Sequence, residues 1–263
     1  MGSATREAVA ELRGHLDALG TVDVSTVDQI FFAGRVIGSS AQLQNILSDS
    51  GVDASEKSHV LQNVFADRLD APARSLLESA VALRWSSQED LLAGIEELGL
   101  RASAISAPDD VNIEAELFSF GTAVTSNPEL ELAVGSKRGS DISKTVLVYS
   151  LLENASPQTR LIVGHLVKQP RGRRIGELLR HAATVVADES NLAVATVTAA
   201  RPIGEAQLER LRDSLAKRYG RKIKVNQVLD PDVIGGLRVQ IADDVIDGSV
   251  ATKINDLRLQ LAG

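Results

Sequence analysis

The chain has 263 residues, a formal net charge of −7, 44% hydrophobic residues, only 3% aromatic ones and no cysteine. That length suffices for one large or two to three smaller domains with ordinary cores. The missing cysteines exclude disulfides and Cys-ligated zinc or iron–sulfur sites, and the acidity argues against nucleic acid or an anionic membrane as the main partner, because counterion release needs concentrated Lys and Arg. No apolar run approaches the roughly 18 to 20 residues that span a bilayer. The opening MGSATREAVAELRGHL carries charges where a signal peptide has an apolar stretch, so any membrane association is expected to pass through other proteins.

With so few aromatics, the cores must be built from Leu, Val, Ile and Ala, which suits packed helices. Thr5 to Leu19 places Val9, Leu12, Leu16 and Leu19 at helical steps, with Gly20 as a stop. Val27 to Ile37 reads as a second helix and Ser40 to Leu47 as a short third. Ser55 is a candidate cap for a fourth, whose inward residues would be Val60, Leu61, Val64 and Phe65. Ala71 to Trp85 supplies Leu76, Leu77, Ala80, Val81 and Leu83 for a fifth. Glu89 to Ala104, with Leu91, Leu92, Ile95 and Leu98, supplies a sixth.

The plan then repeats. Shifted by about 87 positions, Ile30 to Leu47 falls on Leu117 to Val134, pairing Phe31 with Phe118, Gly34 with Gly121 and Leu43 with Leu130. Lys57 falls on Lys144, and Ala71 to Val81 lies opposite Ser156 to Leu166. In this register Glu89 to Ala104 serves as the last helix of the first set and the first of the second, so the two bundles would share a rigid joint. The Pro- and Asp-containing break SAPDD at Ser106 to Asp110 and the break at Asp188 to Asn191 place domain boundaries at 1–105, 106–188 and 189–263.

From Leu192 the periodicity changes. Val194, Thr196, Val197 and Thr198 suit a strand, Pro202 to Gly204 a turn, and Leu208, Leu211, Leu215 and Tyr219 one face of a helix ended by Gly220. Val225 to Leu229 and Leu237 to Ala242 are two further strands around Asp230, Pro231, Gly235 and Gly236. After Asp247-Gly248-Ser249, the residues Val250, Ile254, Leu257 and Leu261 mark a closing helix. The expected fold is mostly α: two N-terminal helical bundles followed by a small α+β domain ordered strand, helix, strand, strand, helix.

The turn Asp230-Pro231 with Val233, Ile234, Gly235 and Gly236, and then Val245, Ile246, Asp247, Gly248, Ser249 and Val250, resembles the C-terminal signature of the δ subunit of bacterial F-type ATP synthases. That subunit is the relative of the mitochondrial oligomycin sensitivity-conferring protein. The resemblance extends upstream through Val194 to Leu211 and, more weakly, over nearly the whole chain. It departs from the common pattern in length, since most members have one N-terminal bundle and this chain has two.

Read for chemistry of their own, the residues offer little. Asp243, Asp244 and Asp247 lack the further ligands and bidentate Glu of a Ca²⁺ loop, and Asp247 is better explained as a turn and helix-start residue. Gly235-Gly236 belongs to neither phosphate-binding motif and precedes a strand, so it is read as turn geometry. His15, His59, His165 and His181 lie on different helices at no metal-ligand spacing, and no nucleophile elbow occurs. The basic run Lys168, Arg171, Arg173 and Arg174 is read as a solvated loop between helices, with contact to an acidic partner segment left open. Nucleic-acid binding there lacks aromatics for stacking. Trp85 is read as a packing residue rather than an interface hot spot. No cofactor, metal or catalytic residue is expected.

What the resemblance implies is a non-catalytic peripheral-stalk subunit, one copy per complex, at the cytoplasmic face of the plasma membrane without insertion into it. Its N-terminal bundle would grip the N-terminal helices of α subunits, and its C-terminal domain would join the b-type stalk. By the same analogy, binding grooves would lie between helices one and five of each bundle. They would be lined by Val9, Leu12, Leu76 and Ala80 in the first copy and by Leu161, Val163 and Leu166 in the second. A free-standing helical adaptor of another multisubunit complex is the alternative.

Overall fold

A computed structural model describes residues 2–108, 111–135, 141–190, 192–219, 222–231, 233, 236–241 and 244–247. They form two compact units, Met1–Val186 and Ala187–Gly263. The fold is mostly α, with a small α+β unit at the C-terminal end.

The first unit begins with α1 (Ser3–Leu19), α2 (Val24–Ser39), α3 (Ala41–Ser48) and α4 (Ala54–Phe65), then a single 3-10 turn (Ala66–Arg68), α5 (Ala71–Ala82) and α6 (Gln88–Ile105). Its remaining helices are α7 (Ile113–Thr125), α8 (Pro128–Gly135), α9 (Asp141–Leu151), α10 (Pro157–Lys168) and α11 (Ile175–Glu189). Helix starts follow local chemistry. Ser40, Asp70, Ser87, Asn112 and Ser156 each accept a hydrogen bond from the third backbone N–H beyond them, satisfying donors that the first turn leaves open. Asp53, not Ser55, occupies the start of α4. The fifth helix ends at Ala82, so Trp85 sits in the connection to α6 rather than on a helix. Its ring is buried against Gly94, and its indole N–H donates to the Ala80 carbonyl at 2.7 Å.

Helices two to six recur as helices seven to eleven at the offset read from the sequence, except at α5 and α10, where the equivalent caps are Asp70 and Ser156, one residue off the register that set Ala71 opposite Ser156. Ala41 and Pro128 open α3 and α8, Ala54 and Asp141 open α4 and α9, and Gln88 and Ile175 open α6 and α11. The contacts recur as well: α2 with α3, α2 with α5, and α4 with α5 are matched by α7 with α8, α7 with α10, and α9 with α10. So do individual bonds. In the first set Gln29 Oε1 accepts from the Asp70 backbone N–H, and in the second both Glu116 carboxylate oxygens accept from the Ser156 N–H at 3.1 Å. Gly34 lets α2 approach Ile95 of α6 closely, and its counterpart Gly121 faces Leu179 of α11 at a spacing that leaves room for a Cβ. Lys57 and Lys144 are both buried.

Helix α6 belongs to both sets. It packs on α1, α2, α3 and α5 on one side and on α10 on the other, and it is buried at Leu91, Leu92 and every residue from Gly94 to Ser103. A single hydrophobic core therefore runs from Ala8 to Val186.

The second unit contains β1 (Leu192–Ala199), α12 (Glu205–Tyr219), β2 (Lys222–Leu229), β3 (Leu237–Ile241) and β4 (Asp244–Asp247). The sheet order is β2-β1-β3-β4, with β1 and β2 parallel and the β1–β3 and β3–β4 pairs antiparallel. A parallel pair needs a crossover, which α12 supplies. In β3, Val239 and Ile241 are buried while Arg238 and Gln240 face solvent, the period-two alternation of a sheet covered on one face. The core also holds Ala195, Val197, Leu215 and Ile223. Strand β4 is not foreseen from the sequence: Asp244 to Asp247 pairs with β3, so Asp247 ends a strand before any helix can start. The expected closing helix, Val250 to Leu261, lies outside the described residues.

Candidate functional site

The central feature of the helical unit is a buried carboxylate. Glu96, in the middle of α6, is 3% exposed. It accepts from Arg173 Nη2 at 2.8 Å and pairs with Arg171 Nη2 at 2.9 Å. Both arginines lie in the α10–α11 connection, so two members of the run read as a solvated loop are instead drawn inward onto one carboxylate, while Arg174 stays exposed. The loop reaches Glu96 by placing two successive residues in the left-handed region, Arg171 at φ 48° and Gly172 at φ 77°. Only the second is free of steric cost. The strain at Arg171 is offset by charge-assisted bonds to a desolvated partner.

His165 of α10 completes the cluster. Its ring stacks on Phe31 of α2, centroids 4.5 Å apart. Its Nε2 lies 3.6 Å from Glu96 Oε2, too long for a hydrogen bond. Burial pushes the His165 pKa down, against the opposing pull of Glu96. Burial would raise the Glu96 carboxyl, but the His165 contact and the two guanidinium groups together hold it well below the usual carboxylate range. Gln169 Nε2 adds a bond to the Gly34 carbonyl at 3.2 Å. The cluster thus ties α2, α6, α10 and the following loop into one joint. A buried charge with several fixed partners sets geometry more than it adds stability. Nothing in the sequence distinguishes Glu96 from neighbouring Glu97, which pairs along its own helix with Arg101.

The residues expected to line partner grooves are distributed unequally. At the α1–α5 seam, Leu12, Leu76 and Ala80 are buried in the core and Val9 is half-buried at its edge. Outward of them, His15 Nδ1 and Ser79 Oγ lie 2.9 Å apart and link the two helices. His15 itself is exposed, so this surface is open to solvent. In the second set, Val163 and Leu166 are buried and Leu161 is half-buried. Here α2 packs against both α6 and α10, which also touch each other. The outer side of that seam is therefore filled from within the chain by Phe31 and its neighbours.

In the second unit, Asp230 and Pro231 end β2. The Asp230 N–H donates to the Ala199 carbonyl, and its own carbonyl accepts from Val233. Gly236 has φ 77°, a conformation that a side chain disfavours, just before β3 reverses direction against β1. These signature residues build a turn. Asp244 accepts a hydrogen bond from Tyr219 of α12 at 3.1 Å. Gly235, Gly248, Ser249 and Asp243 lie outside the described residues. Among the described residues no group of three His, Asp or Glu side chains could hold a metal ion, and no helix is long and apolar enough to cross a membrane.

Residues 102–261 match the family model for the ATP synthase delta (OSCP) subunit. A protein of Leifsonia xyli subsp. xyli named ATP synthase subunit delta is 51% identical over 265 residues, covering all of both chains. The chain belongs to the ATP synthase delta (OSCP) subunit family. Proteins of the same name from Streptomyces avermitilis and Streptomyces coelicolor are 36% and 35% identical, each alignment covering at least 98% of both chains. The family match begins near the end of α6. Within this OSCP-type chain, the second helical set and the α+β unit therefore fall in the matched span, while residues 1–101 precede it.

Proposed function

We propose that this delta subunit is a non-catalytic part of the peripheral stalk, joining the α subunits of the catalytic head to the b-type stalk so that rotation is coupled to ATP synthesis. It works as one copy per complex, at the cytoplasmic face of the plasma membrane and without inserting into it. On this reading residues 1–105 grip the head and residues 106–188 brace that grip through α6. Residues 189–263 meet the stalk around the Asp230–Gly236 turn and the segment from Asp247 onward. Resisting torque requires slow dissociation at both ends, which comes from broad apolar contacts on a stiff body rather than from perturbed ionisable groups.

The observation that carries the reading is the contrast between the two seams on a single core. The α1–α5 seam leaves Val9 half-buried at its edge and His15 exposed on its outer side, where an amphipathic helix can lie by its i, i+3, i+4 and i+7 residues. The measurement is calorimetric titration of the full chain with a peptide from an α-subunit N-terminus. Val9→Ala is expected to weaken binding about fivefold, and Leu161→Ala, on the filled seam, to leave it unchanged. Absence of binding by the unaltered chain would remove the head-gripping role.

A further inference from the structure

Because the two helical sets derive from one plan, each serves as an internal control for the other. On α4 the exposed positions Ser55, His59 and Gln62 are polar. Their counterparts on α9 are Ile142, Val146 and Tyr149, spaced i, i+4 and i+7, and they are 78%, 65% and 41% exposed. On α3 the exposed Asn45 corresponds to Leu132 of α8, which is 72% exposed. Single exposed apolar residues are ordinary. A stripe along one helix face, with a fourth residue on the helix packed beside it, is the pattern of an interaction surface.

A cleft of about 480 Å³ lies between α7, α8 and the end of α9, with Phe120, Val124, Leu130 and Leu151 among its lining residues, and on α9 it begins at Ser150, the residue after Tyr149. Glu153 also lines the cleft, Glu129 is exposed on α8, and Glu131 is half-exposed. The basic side chain of α9, Lys144, is buried. Lys137 and Arg138, between α8 and α9, lie outside the described residues. The described charges on α8 and just past α9 are thus acidic, and Arg35 of α2, which interacts with Tyr149, is already paired with Asp28 at 3.9 Å.

We infer that the exposed face of α8 and α9 is a docking surface for an amphipathic protein helix that carries lysines or arginines beside its own apolar stripe. Two turns of such a helix span about 11 Å, the length of the Ile142–Tyr149 stripe at 1.5 Å per residue. Glu129 and Glu153 select the basic flanks, and the cleft takes an anchoring side chain at one end. This surface is distinct from the α1–α5 seam, and it stands whichever complex the chain serves.

The test uses the full chain and two synthetic helical peptides of about 18 residues with the same i, i+4, i+7 leucines, one flanked by lysines and the other by glutamates. Fluorescence anisotropy is expected to show the lysine peptide binding about tenfold more tightly. The double variant Ile142→Ser, Val146→His, which installs the first set's own residues, is expected to weaken that binding at least about tenfold. Tyr149 is retained because its ring rests against Gly164 of α10. Glu129→Lys, at an exposed position, tests the charge rim without touching the core and is expected to lower affinity about threefold. Val9→Ala leaves this binding unchanged, which separates it from the head-gripping seam. Equal binding of both peptides overturns the inference, as does binding that neither variant alters. It is equally overturned if the unaltered chain forms dimers, or adsorbs to phosphatidylcholine vesicles, and the double variant does not.

Discussion

In the first helical set α1 and α5 form a seam whose outer side faces solvent, while in the second the matching pair, α6 and α10, is covered by α2. The same elements in the same order thus end in opposite states. The difference arises because α6 serves twice. As the last helix of the first set it must bury a face on α1 and α2; as the first helix of the second it must bury another on α10. No circumference is left for a partner. Duplication through a shared helix therefore stiffens the molecule and removes one of two possible grooves.

The joint itself has no counterpart in either copy. The positions equivalent to Glu96 are Val9 on α1 and Ala183 on α11, so the buried charge arose only where the two sets meet. Glu96→Gln is accordingly the substitution with the largest expected effect. It leaves Arg171 and Arg173 without their counter-charge and should cost about 3–5 kcal/mol in urea denaturation. A loss below about 1 kcal/mol would show that the loop simply swings out to solvent.

Next comes the pair of equivalent bonds at the starts of α5 and α10. Gln29 makes its bond through a neutral amide, whereas Glu116 accepts from the Ser156 N–H and from the Ser156 and Thr159 hydroxyls. Glu116→Ala is expected to cost about 1.5–3 kcal/mol and Gln29→Ala about 1. Equal losses in parallel denaturation curves would mean that the carboxylate adds nothing over the amide.

The pH dependence isolates the joint from the rest of the fold. Burial lowers the pKa of His165 in the folded chain, against the pull of Glu96, while in the unfolded chain it takes up a proton below about pH 6.5. The unfolded state then holds the extra proton, so stability falls as pH drops through that value, by up to about 1.4 kcal/mol per pH unit. Glu96 acts in a different window. Its depressed pKa contributes stability that is complete above about pH 4.3 and is lost only in stronger acid. Replacing His165 with Phe should flatten the slope between pH 7 and about pH 5, measured as Tm against pH; an unchanged slope would assign it to another group.

The smallest effect contrasts the paired glycines. A Cβ at Gly121 would meet Leu179 at 3.6 Å, an ordinary contact, so Gly121→Ala should stabilise its helix by about 0.5–1 kcal/mol. At Gly34 the Cβ would lie 3.2 Å from the Cγ2 of Ile95, a buried β-branched residue with little freedom to move. Gly34→Ala should therefore gain nothing or destabilise. If both variants raise Tm alike, the two sets are packed less differently than their surroundings indicate.

Helix positions, the repeat and the strand–helix–strand–strand order were legible in the chain because apolar periodicity and turn residues are local, and so was the likeness carried by Asp230, Pro231 and Gly236. Strand β4 escaped notice because DVID has the composition of a turn until β3 offers it an edge to pair with. The role of the KQPRGRR run was misread because a surface loop and a loop folded onto a buried carboxylate have the same local sequence. Periodicity by itself thus picked out inward side chains such as Leu12, Leu76 and Ala80, but it also counted Val64 and Leu19, which the structure leaves exposed near helix ends. Only tertiary structure decided which seam stays open, that Glu96 gathers Arg171 and Arg173, and that Ile142, Val146 and Leu132 are left uncovered. Burial depends on what lies across the gap, and residues some seventy positions apart, such as Glu96 and Arg171, meet only once the chain has folded.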